Sequence, residues 1–140
     1  EVQESPAAPV SAEESKRLGG EAYKAKEWKE AVRCYSAALE QSKPGSEFAV
    51  TCLNNRAACH AQLKAHSAVI KDTAEVLKEQ PANVKALMRR MVAYDALGKR
   101  ELALQDAASV LTMEPKNPNA LEIVAKKRQS LTKKVKDDFP

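Results

Sequence analysis

Lys85 and Arg89 are the residues whose types and spacing point most directly to chemistry. They lie one helical turn apart in a stretch of helical pattern, so they project from one face with two like charges adjacent. That costs a helix roughly a few tenths of a kcal/mol, which is easier to understand where an anion sits between them. Arg89 offers a planar fork and Lys85 a mobile point charge, a combination suited to a carboxylate. Little else suggests a reaction. The chain has two histidines, His60 and His66, for which packing is the expected role. It has no Gly-rich phosphate loop, no HExxH and no Cys/His ligand cluster, so no enzyme activity, metal or cofactor is expected. The lysine runs Lys126-Lys127-Arg128 and Lys133-Lys134-Val135-Lys136 lack interleaved aromatics and are diluted by Asp137 and Asp138. They read as a solvated helix face, not a nucleic-acid patch.

Cys34, Cys52 and Cys59 are an odd set without CxxC spacing, each within a helical stretch. Reduced thiols in a cytoplasmic protein are therefore expected, not a disulfide framework. The apolar runs are too short to span a bilayer, and no secretory signal is visible. The chain opens at Glu1, which suggests a fragment of a longer protein. Its net charge of +4 is compatible with an acidic partner.

The elements that must position these residues follow from a repetition. Leu77, Pro81, Asn83, Ala86 and Leu87 recur as Leu111, Pro115, Asn117, Ala120 and Leu121, 34 residues on. That is the period of a helix–turn–helix repeat, whose unit buries its apolar face only by stacking on copies of itself. Apolar residues make up 44% of the chain but aromatics only 4%; alanine makes up much of the difference and suits close helix contacts better than a sheet. Residues 1–11, with Pro6 and Pro9, read as a disordered tail. Ser11 and Glu14 form a candidate capping box. Helices are expected from there to about Lys26, from Trp28 to Pro44-Gly45, over Ser46–Leu63 and Ser67–Glu79, and over Val84–Leu97 with a Gly98 cap. Two more are expected over Arg100–Met113 and from Asn117 or Pro118 onward. The units are 12–45, 50–83 and 84–117. Four extra residues fall around Ser46–Ala49, absorbed as a helical turn or a loop. A capping helix over 118–138 should cover the last unit through Leu121, Val124 and Leu131, and a monomer is expected.

Leu18-Gly19, Ala31, Tyr35 and Ala38, then Tyr94, Gly98, Ala103 and Pro115, resemble the tetratricopeptide (TPR) pattern. Ala57, Val69, Val76 and Pro81 fit it less closely. The resemblance spans 12–117 plus the capping helix. It implies an all-α, right-handed α-solenoid of three TPR units whose first helices line a concave face; His60 and His66 then fall at consensus aromatic positions. Lys16, Asn55 (followed by Arg56), Lys85 and Arg89 further resemble the carboxylate-clamp co-chaperones and myosin-assembly chaperones. That implies a peptide-binding, non-enzymatic adaptor docking the Glu-Glu-Val-Asp terminus of heat-shock protein 90 or heat-shock protein 70. Gly20 stands where the clamp family has Asn, and Ala58 and Met88 would offer apolar contact to the Val. The other reading is a scaffold with a degraded clamp, binding a different partner.

Overall fold

The computed structural model describes residues 10–138, so the tail expected over 1–11 lies outside the described residues except for Val10 and Ser11. The described chain is all-helical, in the order α1 (Ala12–Lys24), α2 (Trp28–Glu40), α3 (Glu47–Gln62), α4 (His66–Glu79), α5 (Val84–Ala96), α6 (Arg100–Met113) and α7 (Pro118–Asp138). Each helix packs on the next. In addition α3 touches α5 and α5 touches α7, with no comparable contact among the even-numbered helices. The stack therefore closes up on its odd-numbered side, which is the inner, concave face.

Two kinds of helix start alternate. The inner helices begin on short polar caps: Ser11 Oγ accepts from the Glu14 amide at 3.1 Å, Ser46 Oγ from Ala49 at 3.1 Å, and Asn83 Oδ1 from Ala86 at 3.0 Å. Asn117 does the same for α7. The capping box at Ser11 is only half formed, because the Glu14 carboxylate turns to Arg17 instead of back to the cap. The outer helices α2, α4 and α6 have no side-chain cap. They leave tight turns in which Lys26 (φ 61°), Lys64 (φ 56°) and Gly98 (φ 75°) occupy the left-handed region. In each turn the following amide, of Glu27, Ala65 or Lys99, reaches back five residues to a helix carbonyl at 2.8–2.9 Å, the double-bonded helix end that glycine favours. Only the third turn has its glycine. Lys64→Gly should therefore stabilise the domain by about 1 kcal/mol, the cost of holding an L-residue left-handed. A urea melt reads this directly, and an unchanged or lower midpoint would contradict it.

The extra residues between units one and two are mostly helical. α3 has 16 residues where α1 and α5 have 13 each, so Glu47, Phe48 and Ala49 add a turn at its start. Phe48 packs on the core cluster of the first unit. The core is largely alanine: Ala31, Ala38, Ala57, Ala86, Ala103, Ala107 and Ala120 are fully buried. α7 closes the stack on a different face from the one expected. Ala120 and Ile123 are buried against α6, with Val124 partly so, while Leu121 and Leu131 are 45% and 52% exposed. The small Ala120 lets α7 approach closely and turns Leu121 outward, whereas Leu131 lies in the stretch from Arg128 to Asp138 in which every residue is exposed. Lys126 pairs with Asp95 at 3.0 Å, and Lys127 pairs with Glu101.

Two buried ion pairs repeat with the units. Arg56 donates two bonds to Asp72 (2.8 and 2.7 Å) and Arg90 two to Asp106 (2.9 and 2.7 Å). In unit one the same positions hold Leu18 and Cys34, an apolar replacement. His60 lies beside the first pair, its Nε2 3.8 Å from Asp72. Burial pulls its pKa below the ordinary histidine value, so it packs as a neutral ring.

Candidate functional site

Two clefts lie side by side on the inner face. The first, of about 550 Å³, has Lys16, Gly20 and Lys24 of α1 on one wall, Phe48 and Asn55 of α3 on the other, and Tyr35 of α2 behind. The second, of about 510 Å³, lies between Thr51, Asn54 and Asn55 of α3 and Lys85 and Arg89 of α5. Asn55 lines both, so the clefts form one groove crossing three units. The residues singled out from the sequence are thus brought together: Lys16, Gly20 and Asn55 at one end, Asn55, Lys85 and Arg89 at the other.

Met88 and Ala58 are placed differently from the expectation that both meet one apolar side chain. Met88 lines a third, apolar cleft of about 240 Å³ with Ala61, His66, Val69 and Val92, and Arg89 is shared between that cleft and the groove. Ala58 is buried and lines none of the three. Its β-carbon contributes to the packing of α3.

Three cations of the groove share a property. Arg17, which also lines the first cleft, pairs with Glu14, and Arg33, Arg56, Arg90, Lys126 and Lys127 meet carboxylates as well. Among the described residues Lys16, Lys85 and Arg89 meet none. Lys16 rests its Nζ 5.4 Å from the centre of the Phe48 ring, a cation–π contact supplied by the added turn of α3. Lys85 is exposed. Arg89 is half-buried and donates through Nη1 to Asn54 Oδ1 at 2.6 Å, with the Asn54 carbonyl at 3.3 Å. Burial holds its pKa below the ordinary arginine value. Asn54 in turn donates to the Asn83 cap of α5 at 3.3 Å. The guanidinium is therefore oriented by neutral acceptors while its charge stays uncompensated. A desolvated cation without a counter-ion is costly, and an incoming carboxylate relieves that cost.

The three cysteines are free and buried, and burial raises their pKa values, that of Cys59 to about 11. Thiols so held are poor nucleophiles. No cluster of potential metal ligands occurs among the described residues, and no helix there is long and apolar enough to cross a membrane.

Three helix pairs, whose outer helices start 38 and then 34 residues apart, closed by a seventh helix around an inner groove, give this chain the fold of a tetratricopeptide-repeat domain. It is similar to the tetratricopeptide-repeat domains of Hsp90 and Hsp70 co-chaperones. No family model matches the chain. Protein unc-45 homolog B of Danio rerio is 30% identical over 125 residues, which are 89% of this chain and 13% of that protein, so the chain spans only a small part of that relative's length. Among solved structures, the first TPR domain of Spaghetti (RPAP3), bound to the HSP90 peptide SRMEEVD, superposes with a TM-score of 0.76 at 29% identity, covering 86% of this chain and 93% of that one. The second TPR domain of human RPAP3, in complex with the HSP70 peptide SGPTIEEVD, gives a TM-score of 0.71 at 26% identity over 82% and 92%.

Proposed function

We propose that this domain is a non-enzymatic adaptor that docks the acidic, free C-terminal tail of heat-shock protein 90 or heat-shock protein 70 in its inner groove. The observation that carries the reading is the convergence of Lys16, Lys85 and Arg89, three cations without carboxylate partners among the described residues, on a groove with Asn55 at its centre. Lys85 and Arg89 take side-chain carboxylates of the tail, while Lys16 and the Asn55 amide take the terminal one. The apolar cleft at Met88 shares Arg89 with the groove, so an apolar tail residue next to an acidic one can enter it. The similarity to domains solved with SRMEEVD and SGPTIEEVD peptides supports the same ligand class.

Both peptides, labelled and titrated by fluorescence anisotropy, test this. Affinity should fall steadily with salt, because the Debye length shrinks from about 10 Å at 0.1 M to about 3 Å at 1 M and screens the exposed lysines. Binding that ignores salt would contradict the electrostatic reading. Failure to bind either tail would leave a scaffold for another partner.

A further inference from the structure

The two adjacent glycines of α1 act on one side chain. A Cβ at Gly19 would come within 2.9 Å of the Tyr35 ring carbons, so the missing side chain there lets the ring lie flush against the helix. A Cβ at Gly20 would stand 3.8 Å from the Tyr35 hydroxyl, and no other atom outside that helix comes within 4 Å of it. Gly19 thus seats the ring, and Gly20 leaves its hydroxyl uncovered on the groove side. Tyr35 is otherwise buried, and it forms the back wall of the cleft between Lys16 and Asn55.

We propose that the Tyr35 hydroxyl is a binding group of this groove, donating a hydrogen bond to the terminal carboxylate of the docked peptide in the space that Gly20 leaves open. This rests on the reading of the groove as a site for a free C-terminus. Lys16 and Asn55 bring the carboxylate to this end, and without a side chain at position 20 nothing separates it from the phenol. Burial raises the Tyr35 pKa to about 12, so the hydroxyl keeps its proton and remains a donor at neutral pH. Asn55 lines the same cleft from α3, so a hydroxyl on α2 and an amide on α3 face one space. A hydroxyl on α2 does the work that an amide on α1 would do.

The test is a two-by-two titration of the SRMEEVD free-acid peptide against wild type, Tyr35→Phe, Gly20→Asn and the double variant. Tyr35→Phe keeps the ring and should weaken wild-type binding roughly tenfold, the lower end for a bond to a charged group. In the Gly20→Asn background the amide covers the hydroxyl and takes its place, so the same change should cost less than about twofold. Equal affinity of wild type and Tyr35→Phe would overturn the proposal. So would an equal loss in both backgrounds, which would mean that the phenol acts through packing. A wild type that binds no tail fails earlier and overturns the groove reading itself, a result distinct from either. Should Tyr35→Phe not fold, the Cζ resonance of Tyr35 in the wild type decides. It should move on saturation with the free-acid peptide, and a stationary resonance would overturn the proposal.

Discussion

Arg89→Glu is expected to reduce tail affinity at least a hundredfold while leaving the fold intact. Two losses combine. The charge-assisted bonds of the guanidinium contribute about 1.5–3 kcal/mol, and a carboxylate in its place repels an acidic tail. Each 1.4 kcal/mol is a factor of ten, so about 3 kcal/mol of lost bonds is a hundredfold by itself, and at about 1.5 kcal/mol the repulsion supplies the remaining factor of about ten. The fold should tolerate the change because Arg89 holds no carboxylate in place; its partners are the Asn54 side chain and carbonyl. A thermal melt close to that of wild type, together with lost anisotropy signal, is the expected pair of results. Unchanged affinity would remove Arg89 from the site.

The largest effect on stability is expected at the repeated ion pairs. Asp106 is almost fully buried and accepts both bonds from Arg90. Asp106→Ala leaves Arg90 with a buried, unpaired charge, which costs about 3–5 kcal/mol in such settings. The lower end applies, because the Arg90 side chain remains 24% exposed. Roughly 10 °C should be lost from the melting temperature. The first unit shows how to recover it. Combining Arg90→Leu with Asp106→Cys copies the Leu18 and Cys34 found there, and replacing a buried pair by apolar residues is often close to neutral. A double variant that melts well above Asp106→Ala would confirm that the loss comes from the stranded charge. A double variant as unstable as the single one would show that the pair itself holds α5 to α6.

Much of this architecture is legible in the sequence, because local chemistry and the repeat agree. Pro81 and Pro115 mark the period, and Ser11, Ser46, Asn83 and Asn117 mark the inner helix starts through side chains suited to capping. What stayed hidden depends on contacts between elements or on residues with the wrong signal. Lys26 and Lys64 take left-handed turns that only Gly98 advertises. Arg56–Asp72 and Arg90–Asp106 join neighbouring helices, and their shared spacing was the available clue. On α7, leucine size suggested the buried face, but the smaller Ala120 allows the closer approach. At the groove, the charged residues could be read from the repeat phase, whereas the roles of Phe48 and Tyr35 needed the added turn of α3 and the paired glycines of α1. Nothing in the sequence tells that Gly19 and Gly20 face different parts of one tyrosine.

The central claim is that the groove recognises a free, acidic C-terminus. Calorimetric titration of the wild-type domain with the SRMEEVD peptide as free acid and as C-terminal amide tests it most directly. The two ligands share every side chain and differ only in the terminal charge that Lys16, Asn55 and Tyr35 are placed to meet. The free acid should bind at least tenfold more tightly, since the amide forfeits charge-assisted bonds each contributing about 1.5–3 kcal/mol. Equal affinity for the acid and the amide would contradict the account.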